Sequence, residues 1–271
     1  MKRLKGFFLW PILFILSLTL PCISYANFYT TPNKVSLASN ENVTTMYLVN
    51  QSDQPYAFVI ESVDFKMNSK GQIKQLSPDK TFSFSAKDKV RFLPKAIKLG
   101  PKERGAIKII RAKKSGILHG SYHVHLNIKR KALTKRPVLE KAGKNKTAIH
   151  IEVEYDINIP LFIDYGTPKP GKGISFKHAL FRDKKDRKNY TFKLDIKNKT
   201  RFLERVEVYL LPENTRSSKD HIWLSKIAAY PEAEKLKITK KIPKSKLKQK
   251  HFWLMIQDGQ EILKYEKITL R

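Results

Sequence analysis

The 271-residue chain predicts an all-β protein made of two consecutive β-sandwich domains joined by a short Pro/Gly linker. Three observations carry that expectation. Apolar and polar residues alternate at period 2 through most of the chain, helical periodicity is nearly absent, and one Pro/Gly-rich stretch divides the alternation in two. Period 2 is the spacing at which successive strand side chains reach opposite faces of a sheet, so each alternating run reads as a half-buried strand.

The first 26 residues stand apart from this pattern. Lys2, Arg3 and Lys5 precede an apolar run from Phe7 to Leu20, and the segment closes on Ser24-Tyr25-Ala26. This is the layout of a secretory signal cut before Asn27, which predicts export to the periplasm. The run is short for a bilayer, which needs about 20 apolar residues, and no later stretch is long enough either. Pro21 stands where a lipidation signal takes a small residue, so Cys22 is not read as lipid-modified. Cys22 is the single cysteine, which excludes a disulfide scaffold and any multi-cysteine metal site.

From residue 27 the alternating runs follow in order. Val35/Leu37, Phe82/Phe84, Ile107/Ile109 and Tyr122/Val124/Leu126/Ile128 are expected strands, and the longest run is Ile149 through Ile163 at every second position. Polar clusters at Ser39–Asn42, Asn50–Pro55 and Gly100–Glu103 supply the turns between them. Residues 165–173 hold three glycines and two prolines, a composition that supports neither ladder nor helix. Beyond it strands resume at Ile174/Phe176, Tyr190–Ile196, Val206–Leu210, Leu236/Ile238, Phe252–Ile256 and Ile268/Leu270. The expected division is a signal at 1–26, a first domain at 27–165 and a second at 166–271, each a sandwich of about 100 residues.

Charge narrows the function classes. Lys+Arg 54 against Asp+Glu 24 gives +30, and loss of Lys2, Arg3 and Lys5 with the signal leaves +27. Such a balance predicts anionic partners or surfaces and says nothing of the fold. Residues 129–146 carry Lys129, Arg130, Lys131, Lys135, Arg136, Lys141, Lys144 and Lys146 on an expected loop, with Glu140 the one acid. Residues 235–250 hold eight lysines in sixteen residues without an acid. Nucleic acid is not the expected partner. Export removes the chain from it, Lys outnumbers the Arg that forks onto bases and phosphates, and no aromatics interleave as a stacking platform.

Enzyme chemistry has no carrier in the sequence. Nucleophile-elbow, zinc-protease, phosphate-loop and dinucleotide motifs do not occur, and no cofactor is expected. His123-x-His125 puts two imidazoles on one strand face, which Zn²⁺ or Cu²⁺ accepts; a ladder with His150, Glu152 and Glu154 across to the 149–163 strand is the simpler account. Asn-x-Ser/Thr at Asn42, Asn50, Asn145, Asn189 and Asn198 is read as chance rather than as glycan acceptors.

Three ordered stretches carry a resemblance. Lys34–Tyr56 is a basic residue, an alternating strand, an Asn-rich turn and Pro-Tyr. Arg91–Arg111 is a proline-led strand, a turn and a basic strand; Gly120-Ser-Tyr-His-Val-His-Leu126 leads through a basic loop to the strand ending Ile159-Pro-Leu-Phe-Ile163. Together they resemble, over most of 27–165, the PapD-like periplasmic chaperones of the chaperone–usher pilus pathway. The resemblance implies immunoglobulin-like sandwiches and a non-catalytic function. Such chaperones bind incomplete pilus or fimbrial subunits that lack a strand, lend their own, and deliver them to an outer-membrane usher; a self-capping dimer belongs to the same repertoire. Strand lending covers an unpaired sheet edge with main-chain bonds and fills its groove with alternate side chains. It implies Ile149, Ile151, Val153 and Tyr155 as the groove-filling residues.

The resemblance further implies two basic residues that hold the subunit's C-terminal carboxylate in the interdomain cleft. Lys34 falls on the first of these positions. The second, before the Leu-Phe pair, is Pro160 here and cannot supply charge, so Arg91 is the substitute candidate. The competing expectation is an exported β-sandwich binding module for an anionic envelope polymer or glycan, with the basic segments as its working surface.

Overall fold

A computed structural model describes residues 28–113, 115–133, 156–169, 171–182, 186, 188–212, 215 and 217–270. The expected signal (1–26) and the expected groove-filling residues Ile149, Ile151, Val153 and Tyr155 lie outside the described residues. No described helix is long and apolar enough to cross a membrane.

The first part of the chain forms β1 (Phe28–Thr31), β2 (Val35–Leu37), β3 (Val43–Asn50), β4 (Tyr56–Val63), β5 (Phe65–Met67), β6 (Ile73–Gln75), β7 (Val90–Leu93), β8 (Ala96–Leu99), β9 (Arg104–Arg111), β10 (Gly120–Ala132) and β11 (Asp156–Tyr165), of which all but the separate hairpin β5–β6, whose Met67 packs in the second core, build the first sandwich. One sheet runs β1-β3-β9-β7 and the other β2-β11-β10-β4-β8. This is the immunoglobulin-like arrangement of two facing sheets, antiparallel throughout except where β2 runs parallel to β11. The chain crosses between the sheets repeatedly, and two of the crossings, from β1 to β2 at Pro32 and from β7 to β8 at Pro94, fall at prolines, where a missing N–H ends the ladder. Phe28, Leu48, Phe58, Ile107, Val124, Leu126, Leu161 and Ile163 pack in the core between the sheets. Each comes from the apolar phase of its strand, so alternation alone determined which face is buried.

After residues 166–173 the second sandwich follows: β12 (Ile174–Arg182), β13 (Asn189–Asn198), β14 (Glu204–Leu211), β15 (Trp223–Ala229), β16 (Lys235–Pro243), β17 (His251–Asp258) and β18 (Glu261–Thr269). Its sheets are β12-β13-β16 and β15-β14-β17-β18, and its core gathers Phe192, Leu194, Val208, Leu210, Phe252 and Leu254. β16 is an edge strand, and its run of lysines guards that edge against pairing with another chain.

Two of the Asn-x-Ser/Thr sites have a structural reason. Asn50 ends β3 fully buried; its side-chain amide donates to the carbonyls of Gln54 (2.8 Å) and Gly100 (2.7 Å), and its oxygen accepts from the Ser52 N–H and hydroxyl. Asn198 ends β13 in the same way, donating to the Phe202 carbonyl (3.0 Å) and accepting from the Thr200 N–H and hydroxyl. The hydroxyl two residues on closes an Asx turn, so each sandwich turns its corner with the same device. Asn50→Ala takes the buried amide from those carbonyls, which then rely on the Ser52 hydroxyl and the Glu103 N–H, and is expected to cost about 2 kcal/mol in urea unfolding, with Ser52→Ala costing less.

The structure corrects two expectations. Phe82 and Phe84 are not a strand: they lie in a turn joined to β10 only by the Ser85–His123 bridge, with Phe82 5.3 Å from the His123 ring. Their alternation reflects two rings packed on a neighbour. Lys129, Arg130 and Lys131 are strand, not loop, because β10 runs on to Ala132 and pairs them with Val59, Phe58 and Ala57 of β4. The register sets His123 against Phe162 and His125 against Pro160, while His150, Glu152 and Glu154 lie outside the described residues. Among the described residues no group of three His, Cys, Asp or Glu could hold a metal ion.

Candidate functional site: an open strand edge leading into a basic cleft

β11 is paired unevenly. Along one edge it is bonded to β10 from Asp156 to Tyr165. Along the other, β2 covers only Leu161–Ile163, running parallel to it. Among the described residues, the edge from Asp156 to Pro160 therefore has no strand beside it. Ile157, Ile159, Leu161 and Ile163 all turn toward the first core, while Asn158 and Pro160 face outward. An unpaired edge beside an apolar core face is a template for a further strand.

This edge leads into a cleft of roughly 480 Å³ between the sandwiches, lined by Lys34, Pro160, Phe162, Arg205, Tyr230 and Asp258 among others. Lys34 sits on the bend immediately before β2, level with Pro160, because Val35 pairs with Leu161. Partial burial, and then the charge of Arg205, hold its ammonium below the usual lysine range. Arg205 comes from β14 of the second sandwich. Its guanidinium donates to the Ser36 hydroxyl at 3.1 Å and lies 5.2 Å over the Phe162 ring. Burial raises the Asp258 carboxyl, and Arg205 lowers it in part. Glu207 is taken up by Lys226 at 2.7 Å. Neither Lys34 nor Arg205 forms an ion pair among the described residues, so the cleft presents two cations that share one space.

Of the two expected anchors, then, Lys34 lies in the cleft and Arg91 does not. Arg91 is on the exposed face of β7, an edge strand of the other sheet, opposite Ile110. Sequence reasoning missed Arg205. Nothing local distinguishes it: it occupies an ordinary polar phase of β14, 171 residues from Lys34 in the chain.

The cleft has a floor that fixes the two sandwiches against each other. Glu232 reaches across so that its Oε2 lies 3.1 Å from His123 Nε2, with both side chains buried, and its Oε1 accepts the Met67 N–H at 2.9 Å. Tyr230 packs edge-on against His123 (4.8 Å) and Phe162 (5.3 Å); burial and the Glu232 charge push its phenol up to about 12. Backbone bonds Ser121 N–H to Arg201 O (2.8 Å) and Lys237 N–H to Ser69 O (2.7 Å) complete the junction.

No protein-family model matches the chain, and no curated protein matches it either. Among solved structures it is similar to the E. coli chaperone DraB, at 14% identity over 90% of this chain and 96% of that one, with a TM-score of 0.44. It is similar also to the Pseudomonas aeruginosa CupB2 chaperone, at 12% identity over 90% and 100% of the two chains, TM-score 0.45. A third is the Salmonella enterica SafA pilin in complex with the SafB chaperone, at 13% identity over 91% and 98%, TM-score 0.47.

Proposed function

We propose that the chain is a periplasmic chaperone that holds incomplete immunoglobulin-like pilus or fimbrial subunits by lending the edge of β11, and the apolar run before it, for delivery to an outer-membrane usher. The observation that carries this reading is the edge at Asp156–Pro160, open among the described residues, which runs into a cleft lined by the cations of Lys34 and Arg205. In sequence, Ile149, Ile151, Val153 and Tyr155 keep the odd-numbered phase of Ile157 and Ile159, so the apolar stripe that faces the first core is continued toward the subunit. Each aliphatic side chain buried in a subunit groove contributes roughly 1.5–3 kcal/mol.

The cleft sets the direction of the captured strand. A subunit whose terminal carboxylate rests between Lys34 and Arg205 ends level with Pro160, and the rest of its strand lies toward Asp156 and residue 149. It therefore runs in the same sense as β11, pairing parallel as β2 does further along. Charge-assisted bonds to the carboxylate fix the register, which alternation by itself leaves free to slip by two. In this reading Arg205, from the second sandwich, supplies the charge that Pro160 cannot, and Arg91 is not required.

The test is co-purification from a periplasmic extract with an affinity tag after Arg271, followed by mass spectrometry. A small β-rich secreted protein is expected in about equal amount with the chaperone. Ile151→Asp or Val153→Asp should abolish its recovery, and Lys34→Ala with Arg205→Ala should weaken capture about a hundredfold or more. Full recovery with all three variants would sink the reading. Recovery of no protein partner, with retention on anionic polysaccharide, would replace it with the binding module.

A further inference from the structure

We propose that a second concavity, on the linker side of the interdomain junction, is a binding site for a phosphate-class oxyanion, presented either free or on a lipid headgroup. The site shares no lining residue with the Lys34–Arg205 cleft, and the inference does not rest on strand lending. It encloses roughly 340 Å³ and draws its walls from three parts of the chain: His119 from the first sandwich, Thr167, Lys169 and Lys172 from the linker, and Thr200 and Arg201 from the second sandwich. Four of those six side chains are basic and none is acidic.

The backbone is built to bring them together. Gly166 has φ +83°, and a Cβ there would lie 2.9 Å from the His119 ring. Gly173 has φ +87° and would meet Thr200 at 3.1 Å. Gly120 has φ +152° and would strike the Arg201 carbonyl at 2.7 Å, the same carbonyl that accepts the Ser121 N–H across the junction. Only glycine combines these backbone angles with that closeness. A turn bonded from Lys172 N–H to the Lys169 carbonyl carries both lysines together.

Arg201 is the second observation that points to a ligand. One face of its guanidinium lies 4.8 Å over the Phe84 ring, and its Nε is buried with no hydrogen-bond partner. A buried donor left unpaired is costly, and a concave wall of one charge sign concentrates counter-ions. The chemistry favours phosphate over a carboxylate. A tetrahedral dianion presents more oxygens than a carboxylate, enough to take the Arg201 fork, two lysine point charges, the imidazole and the Thr167 hydroxyl at once. Such an anion would also tie the linker to both sandwiches.

The experiment is calorimetric titration of the full mature chain with inorganic phosphate at fixed ionic strength, beside flotation with vesicles of phosphatidic acid in phosphatidylcholine. Saturable binding in either arm, weakened about tenfold or more by Lys169→Ala with Lys172→Ala and by Arg201→Gln, is the expected result. The arm that saturates identifies the source of the phosphate. Lys235→Ala with Lys240→Ala, on the exposed edge strand β16, removes the same net charge elsewhere and should leave binding unchanged. The proposal is overturned by absence of saturable binding in both arms, by binding that the linker variants retain, or by equal loss in the β16 variant, which would reduce the effect to net charge.

Discussion

Glu232→Ala is expected to lower unfolding stability by about 3 kcal/mol, since it leaves two buried groups without their hydrogen-bond partner at about 1–3 kcal/mol each. The glutamate carries two bonds with its two oxygens, one facing His123 Nε2 at 3.1 Å and one accepting the Met67 N–H at 2.9 Å. The two side chains are only 1% and 4% exposed for His123 and Glu232, so water cannot replace what is lost. His123 is enclosed by the rings of Tyr230, Phe162 and Phe82, and its Nδ1 has no partner. Glu232→Gln keeps an oxygen for Met67 and should cost less than half as much. Denaturant unfolding of the two variants and of His123→Ala, as a double-mutant cycle, checks the coupling. A cost below about 1 kcal/mol for Glu232→Ala would mean that the ring cluster and backbone bonds hold the junction by themselves.

Acidification is expected to remove about 3 kcal/mol of stability through His125. Burial, and then the neighbouring His123, push this imidazole down to about 4 from the ordinary 6.5. It is 6% exposed, its ring lies 4.2 Å from Phe65, and its Nδ1 is unpartnered. Between those two pH values the unfolded chain binds a proton that the folded chain refuses. The contribution is therefore complete above about pH 6.5, falls as pH drops, and is exhausted near pH 4, where both states are protonated; at about 1.4 kcal/mol per pH unit the span amounts to about 3 kcal/mol. His125→Phe keeps a ring against Phe65 and takes the titration away, so its stability from pH 7 to pH 4.5 should decline less than that of the parent. Identical slopes for the two proteins would refute the assignment.

Much of the fold was legible in the sequence, because a half-buried strand writes its burial at every second residue. Tyr190–Ile196 and Phe252–Ile256 bury the residues their alternation selects, and Tyr122–Ile128 does so too although its other face, with His123, His125 and Asn127, is buried as well; residues 166–173 part the two sandwiches where glycine and proline prevent a ladder. β15 was not legible: its pattern is broken by Ser225 and Lys226, and pairing with β14 rather than local propensity makes it a strand. Phe82 and Phe84 misled for the opposite reason, since one ring resting on His123 and the other beside Tyr122 imitate alternation without a ladder.

By itself, then, the sequence determined the class of the fold, the faces its strands bury and the excess of positive charge, all of which are local or additive properties. Only the tertiary structure decided that Glu232 answers His123, that Arg205 joins Lys34 beside the open edge of β11, and that His119 and Arg201 converge on the linker lysines. Those groups come from different sandwiches, and the packing of one sandwich on another leaves no period in the chain from which their meeting could be read.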